Sequence, residues 1–152
     1  MADRALGSAN LIHHIALRVA DVEAGKTWLT TMLGFRVERE LQIMGLDFAW
    51  LSPGGAKTPV IELVGGPVES ERQLPENILD ILKLSGWHHL CLQVPNVEDY
   101  VSELRRREVK ILIDVTAGAP GSGAKRIAFI ADPWGNVYEL FEPADDGDLK
   151  AS

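Results

Sequence analysis

The sequence is poor in cysteine, in basic residues and in long apolar segments. Its single cysteine, Cys91, cannot close an intramolecular disulfide, so we expect a reducing compartment. Lys and Arg number 15 against 22 Asp and Glu, and a chain with this net charge of −7 has no general attraction for nucleic acid or an anionic membrane. No stretch approaches the ~18 apolar residues of a membrane span, and the N-terminus lacks the apolar core of a signal peptide. We therefore expect a cytoplasmic protein with neither a nucleic-acid nor a membrane partner.

What the sequence does contain is an internal repeat. Residues 13–19 read HHIALRV, and residues 88–94, which follow 75 positions later, read HHLCLQV. Asp-Val-Glu at residues 21–23 and Asn-Val-Glu at residues 96–98 continue the repeat at the same offset. The 152 residues amount to about one domain, so the two copies are modules of a single domain.

Each copy predicts the order β-α-β-β-β. In the first copy, apolar spacing predicts a helix over residues 22–33 that ends at Gly34, followed by strands over residues 35–43, 46–51 and 59–64. The second copy predicts a helix over residues 97–107 and strands over residues 109–115, 125–131 and 137–141. The predicted division of the chain is an N-terminal tail (1–10), module 1 (11–64), a linker with a short helix at 76–84 (65–86), module 2 (87–143) and a flexible tail (144–152).

The alternation of side chains along a strand assigns the repeated residues to two faces. The apolar phase of the first strand of each copy includes His13 and His88, which we expect to pack on the apolar face. The polar phase contains four residues that would line a cavity on that face: His14, Arg18, His89 and Gln93.

A carboxylate lies inside the last apolar strand of each copy. Glu62 is within VIELV and Glu139 within VYELF, and a charge at such a position is costly unless it is exposed, paired or bound to a metal. Taken singly, a strand histidine is usually a core or surface residue and a strand glutamate usually faces solvent. Two histidines and two glutamates at equivalent places in two copies instead indicate a shared metal site. Such a set of nitrogen and oxygen donors suits Zn, Ni, Co, Mn or Fe.

Several motifs together resemble the vicinal oxygen chelate superfamily, which includes glyoxalase I, extradiol dioxygenases, methylmalonyl-CoA epimerase and bleomycin-resistance proteins. They are HIALRV at residues 14–19, LGF at 33–35, IEL at 61–63, HLCLQV at 89–94 and DPWGNVYEL at 132–140. The resemblance covers about residues 11–143, and its motifs are specific to the superfamily but not to one reaction.

The resemblance implies an α+β fold in which two tandem βαβββ modules form a curved mixed sheet around a metal-binding cavity. It implies one divalent metal held by His14, Glu62, His89 and Glu139, with Glu62 or Glu139 moving a proton. Arg18 and Gln93 are the expected substrate-binding residues, and Arg18 occupies the place of a glutathione-binding arginine of glyoxalase I.

The function that the resemblance favours is a metal-dependent lyase or isomerase. Its small carbonyl substrate would chelate the metal through two adjacent oxygens, and the metal would stabilise an enediolate or enolate during proton transfer. Two alternatives remain open, an Fe(II) extradiol-type dioxygenase and a non-catalytic protein that binds a small molecule. A homodimer is expected, with the site formed either within one chain or by two chains.

Overall fold

The computed structural model describes residues 12–54, 60–70, 72–83 and 85–144 of the chain. These residues form two compact units, which divide between Glu69 and Ser70 and therefore within the predicted linker. The predicted N-terminal tail and most of the predicted C-terminal tail lie outside the described residues. No helix in the described ranges is long and apolar enough to cross a membrane.

The first unit has the element order predicted for module 1. Its elements are β1 (His14–Arg18), α1 (Val22–Leu33), β2 (Phe35–Ile43), β3 (Leu46–Pro53) and β4 (Val60–Val64). The sheet order is β1-β4-β3-β2, in which β1 and β4 run parallel and the other neighbours run antiparallel.

Helix α1 covers one face of this sheet and is closed at both ends by its own sequence. The side chain of Asp21 caps the N-terminus by accepting from the backbone N–H of Ala24 at 3.0 Å. Gly34 ends the helix with φ 69°, a left-handed conformation that glycine adopts without steric cost. The apolar face of α1, with Leu29 and Leu33, is buried, and Leu63 of β4 is buried as well. The opposite face of the sheet is thereby left for polar side chains.

The second unit repeats this arrangement. Its elements are α2 (Ile78–Leu82), β5 (Leu90–Gln93), α3 (Val97–Arg106), β6 (Lys110–Ala117), β7 (Ala124–Ala131) and β8 (Val137–Pro143). The sheet order β5-β8-β7-β6 again has one parallel pair, β5 with β8, and two antiparallel pairs. The predicted α+β fold with two tandem βαβββ modules is therefore confirmed, and each module forms its own four-stranded mixed sheet.

The turn between β7 and β8 is built around the buried carboxylate of Asp132, which is 2% exposed. Its Oδ1 accepts from the backbone N–H groups of Trp134 and Asn136 at 2.9 and 2.8 Å. Its Oδ2 accepts from the Asn136 side-chain amide at 2.8 Å and from the Tyr138 hydroxyl at 3.2 Å. These four hydrogen bonds lower the pKa of Asp132, but burial outweighs them and the pKa is raised. The DPWGN motif is thus a structural turn that sets the start of β8.

Some predicted boundaries differ from those of the structure. The linker helix begins at Ile78 rather than residue 76, because Asn77 and Asp80 form a capping box at its start. Residue 84, where the sequence predicts the end of this helix, lies outside the described ranges. Strands β3, β6 and β8 each run two residues further than predicted. Strand β5 begins only at Leu90, after the histidine doublet that the sequence pattern had included in it.

Candidate metal centre

The first candidate ligand pair joins His14 of β1 to Glu62 of β4. Ile61 and Leu63 are buried, so strand alternation directs Glu62 to the opposite face of the sheet. The parallel register sets Ala16 beside Glu62, and His14 lies two residues earlier on the same face. Nε2 of His14 and Oε2 of Glu62 lie 3.6 Å apart, with the two side chains 38% and 14% exposed. The structure therefore brings together the two site residues that the sequence predicts in module 1.

The second candidate pair joins His89 to Glu139 in the same manner. His89 directly precedes β5, and Glu139 of β8 lies in register with Cys91. Nε2 of His89 and Oε2 of Glu139 are 3.0 Å apart, and the side chains are 30% and 17% exposed. The repeat seen in the sequence is thus also a repeat of side-chain geometry.

In both pairs the other ring nitrogen of the histidine contacts the histidine before it. Nδ1 of His14 lies 2.9 Å from Nδ1 of His13, and Nδ1 of His89 lies 2.8 Å from Nδ1 of His88. One ring of each doublet must donate and the other must accept, which couples their tautomers. His13 is exposed, so the prediction that it packs on the apolar face is wrong. His88 is half-buried, and its Nε2 has no hydrogen-bond partner in the described part of the chain.

An aromatic residue stands beside each pair, but the two aromatics differ in chemistry. Trp50 of β3 is in register with Glu62, and its indole N–H donates to Oε1 of that carboxylate at 2.8 Å. Phe129 of β7 occupies the matching position opposite Glu139 and has no polar atom. Sequence reasoning missed the indole contact, which becomes visible only when the β3–β4 register is known.

Cys91 lies beside the second pair and remains a poor nucleophile there. Its pKa is raised to about 12 because partial burial disfavours the thiolate and because the negative charge of Glu139 is close. Ala16 occupies the matching place in β1, opposite Glu62. Cys91 is therefore a neutral thiol next to the carboxylate at neutral pH.

The two predicted substrate-binding residues lie at matching ends of β1 and β5. The guanidinium of Arg18 donates to the backbone carbonyls of Val19 and Val64 through Nη1 and to that of Pro67 through Nη2, at 2.7 to 2.8 Å. These bonds close the end of the β1–β4 pair and fix the direction of the side chain. Gln93 is exposed on β5.

The donor set and spacing of each pair fit two positions of a metal's coordination shell. Two atoms bound to one metal at about 2.1 Å are about 3.0 Å apart at a right angle and about 3.4 Å apart at the tetrahedral angle. The nitrogen–oxygen separations of 3.6 and 3.0 Å lie close to these values. Within the described ranges no three His, Cys, Asp or Glu side chains form a potential metal-binding group. One pair alone falls short of the three protein ligands usual for a catalytic metal.

The fold and the paired residues indicate a protein class, and comparison with known proteins identifies it. Residues 11–140 match the Glyoxalase/Bleomycin resistance protein/Dioxygenase superfamily, and the chain belongs to that superfamily. Members of the superfamily typically bind a divalent metal, usually bind small molecules and are often dimers.

Individual relatives include enzymes that interconvert epimers. The chain is 24% identical over 133 residues to the mitochondrial methylmalonyl-CoA epimerase of Bos taurus, covering 85% of this chain and 72% of that protein. It is 27% identical over 160 residues to a 2-epi-5-epi-valiolone epimerase of Actinomyces sp., covering 92% and 83%. The trypanothione-dependent glyoxalase I of Leishmania major shares the fold, with a TM-score of 0.65 at 23% identity over 88% of this chain and 87% of that one.

Proposed function

We propose that the chain is a divalent-metal-dependent isomerase or lyase for a small carbonyl substrate with two adjacent oxygens. In this proposal His14, Glu62, His89 and Glu139 hold one metal, which is Zn, Ni, Co, Mn or Fe. The observation that carries it is the repeated His–Glu pair, with nitrogen–oxygen separations of 3.6 and 3.0 Å in two copies of one module. The similarity to two epimerases supports isomerase chemistry.

The histidine doublets suit the role of ligands because the contact within each doublet is compatible with the tautomer that a metal ligand needs. A histidine that binds a metal through Nε2 must keep its lone pair there and carry its hydrogen on Nδ1. His14 and His89 would then donate from Nδ1 to the preceding histidine, which lies at 2.9 and 2.8 Å. His13 and His88 are thus expected to accept through Nδ1 and to carry their hydrogen on Nε2.

The four ligands leave room for a substrate. Two imidazoles and two carboxylates balance the charge of a divalent ion, and an octahedral ion keeps two further positions open. When bound, the metal supplies Lewis acidity to the oxygens of the substrate. Glu62 or Glu139 would take the proton next to the carbonyl, because a carboxylate that leaves a cation for a dry site gains basicity.

Arg18 is suited to hold an anionic group of the substrate. A guanidinium carries five N–H donors, and the backbone carbonyls that it contacts use three of them. Among the described residues the Nε–H and one Nη2–H have no acceptor, and together they form a fork that can hold a carboxylate through two bonds. Because the carbonyls already fix the side chain, little rotamer entropy is lost when an anion binds. Gln93 would add an amide that can both donate and accept.

Metal analysis tests the proposal directly. Protein purified without a nickel-affinity step is analysed by inductively coupled plasma mass spectrometry, stripped with a chelator and titrated with Zn²⁺. We expect about one metal per site, with binding weakened at least about tenfold by His14→Ala or His89→Ala. Glu76→Gln, which alters an exposed carboxylate that belongs to neither pair, is the matched control and should bind as the unaltered chain does.

The outcomes separate the proposal from its alternatives. Zn, Ni, Co or Mn in the protein, with proton exchange next to the carbonyl of an acyl-CoA or α-oxo thioester, supports the isomerase or lyase. Iron with oxygen uptake in the presence of a catechol would replace it by the Fe(II) extradiol-type dioxygenase. No metal as purified and none on titration would overturn the four-ligand site and leave the non-catalytic binding protein.

A further inference from the structure

Trp50 contacts both members of the first ligand pair. Its indole N–H donates to Oε1 of Glu62 at 2.8 Å, a normal hydrogen-bond length. Its ring is stacked on the imidazole of His14, with the centroids 6.1 Å apart and an interplanar angle of 25°. The rings of His13 and Trp50 are arranged edge to face, with the centroids 5.5 Å apart and an interplanar angle of 74°. One half-buried side chain therefore contacts the carboxylate of Glu62, the imidazole of His14 and the ring of His13, whose tautomer is coupled to that of His14.

The indole bond distinguishes the two oxygens of Glu62. Oε1 accepts from Trp50, whereas Oε2 is the oxygen that lies 3.6 Å from Nε2 of His14. The two oxygens of an ionised carboxylate are equivalent, so a half-turn restores the same arrangement, but any smaller rotation of the group would break the indole bond. The bond therefore orients Oε2 toward the imidazole, as expected of an outer partner that orients a metal ligand.

The second pair lacks this constraint. Phe129 takes the cross-strand place of Trp50 and meets the His89 ring edge-on, with the centroids 5.2 Å apart at 90°. It thus keeps the aromatic contact but offers Glu139 no donor. The neighbour that Glu139 has instead is the thiol of Cys91, and a thiol is a weak donor.

We propose that Trp50 is a positioning residue that fixes Glu62 as a one-oxygen ligand through Oε2 and makes the two carboxylates of the site unequal. Glu62 is the constrained carboxylate, and Glu139 is the one that can change its orientation. This inference rests on the proposed metal site, but the indole bond on which it depends exists without a metal and can be tested separately.

The first test uses the metal-free protein. The chain has four tryptophans and therefore four indole N–H signals in a ¹⁵N–¹H spectrum, and Trp50→Phe identifies the signal of Trp50 by its loss. We expect Glu62→Gln to shift that signal and Glu139→Gln to leave it in place. A Trp50 signal that does not respond to Glu62→Gln would overturn the inference before any metal is added.

The second test measures metal affinity. Titration of the metal-free protein with Zn²⁺ should show that Trp50→Phe binds about 10- to 100-fold more weakly while its far-ultraviolet circular dichroism is unchanged. Trp134→Phe, which removes an indole from the β7–β8 turn, is the matched control and should retain the original affinity. With Co²⁺ as the probe, the visible absorption of the bound ion should change in Trp50→Phe, because the orientation of Glu62 changes.

The failure of this inference is distinguishable from failure of the proposed function. If the unaltered chain binds Zn²⁺ and Trp50→Phe binds equally well with the same Co²⁺ spectrum, Trp50 does not position the ligand. If the unaltered chain binds neither ion, the proposed metal site fails, and the indole signal still reports whether Trp50 holds Glu62. Equal losses in Trp50→Phe and Trp134→Phe would indicate general destabilisation and would also overturn the inference.

Discussion

Removal of the Asp132 carboxylate should destabilise the second module by a predictable amount. Asp132 accepts four hydrogen bonds at 2.8 to 3.2 Å, two from backbone N–H groups and two from the side chains of Asn136 and Tyr138. Asp132→Ala would leave these donors without their acceptor. A hydrogen bond contributes about 1 kcal/mol net, so the four bonds contribute about 4 kcal/mol.

Burial of the carboxylate offsets part of this stabilisation. The pKa of Asp132 is raised because desolvation outweighs the hydrogen bonds that favour its charged form. We therefore expect Asp132→Ala to lower the free energy of unfolding by about 2 to 3 kcal/mol. For a chain of this size, 1 kcal/mol corresponds to about 2 to 4 °C, so Tm should fall by about 4 to 12 °C.

Graded variants and chemical denaturation followed by circular dichroism test this reasoning. Tyr138→Phe removes one of the four donors and should cost about 1 kcal/mol, while Asp132→Asn keeps the shape and one acceptor oxygen and should fall between the two. The order of the three losses is the decisive result. The account of the turn is refuted if Asp132→Ala costs less than Tyr138→Phe, or if it costs nothing measurable.

Two further predictions concern stability. Gly118→Ala should strongly lower Tm, because the added Cβ would overlap the backbone carbonyl of Ala124. The control is Gly121→Ala, where no described atom lies within 4 Å of the added Cβ and only the backbone conformation disfavours alanine, so its loss of Tm should be smaller. Equal losses of Tm in the two variants, measured by scanning fluorimetry, would contradict this prediction. The pKa of Glu142 is lowered from 4.5 mainly by its bond from Lys125, 2.8 Å away. Because the pKa of Glu142 is lower in the folded state, its stabilisation is fully present when the pH is above the unfolded-state pKa. This stabilisation is lost as the pH falls through the folded-state pKa. The Tm advantage of the unaltered chain over Glu142→Gln should therefore shrink below about pH 4.5, and an advantage that grows there would contradict the assignment.

The sequence predicts the elements of this fold well because the periodicity of each is strong. The bounds of α1 and β2 agree with the structure at every residue, since Gly34 separates them and apolar residues mark the buried face of the helix. Strand ends are less well predicted, since β8 continues to Pro143 through residues that the apolar pattern does not include. There, pairing with β7 rather than local pattern decides how far the strand extends.

The contacts around the ligand pairs depend on details that a sequence pattern does not carry. Alternation placed His14 and Glu62 on one face, and the structure brings them together. The same alternation predicted the wrong position for His13, because β1 begins at His14 and the side chain of a residue before the strand need not follow its alternation. The bond from Trp50 to Glu62 requires the β3–β4 register, which depends on the length and shape of the intervening turn.

Two candidate ligand pairs of the same composition need not have the same role, because the residues on the neighbouring strands differ. Both modules place a carboxylate on the last strand with a histidine nitrogen within 3.6 Å. The neighbours across the strands differ at two positions: Glu62 has Ala16 on one side and Trp50 on the other, whereas Glu139 has Cys91 and Phe129. An indole N–H is a firmer donor than a thiol, so the first carboxylate is held more tightly than the second. The proposed site, in which one carboxylate stays on the metal while the other moves a proton, would need this inequality, and the strand neighbours would supply it without any change in the four proposed ligands.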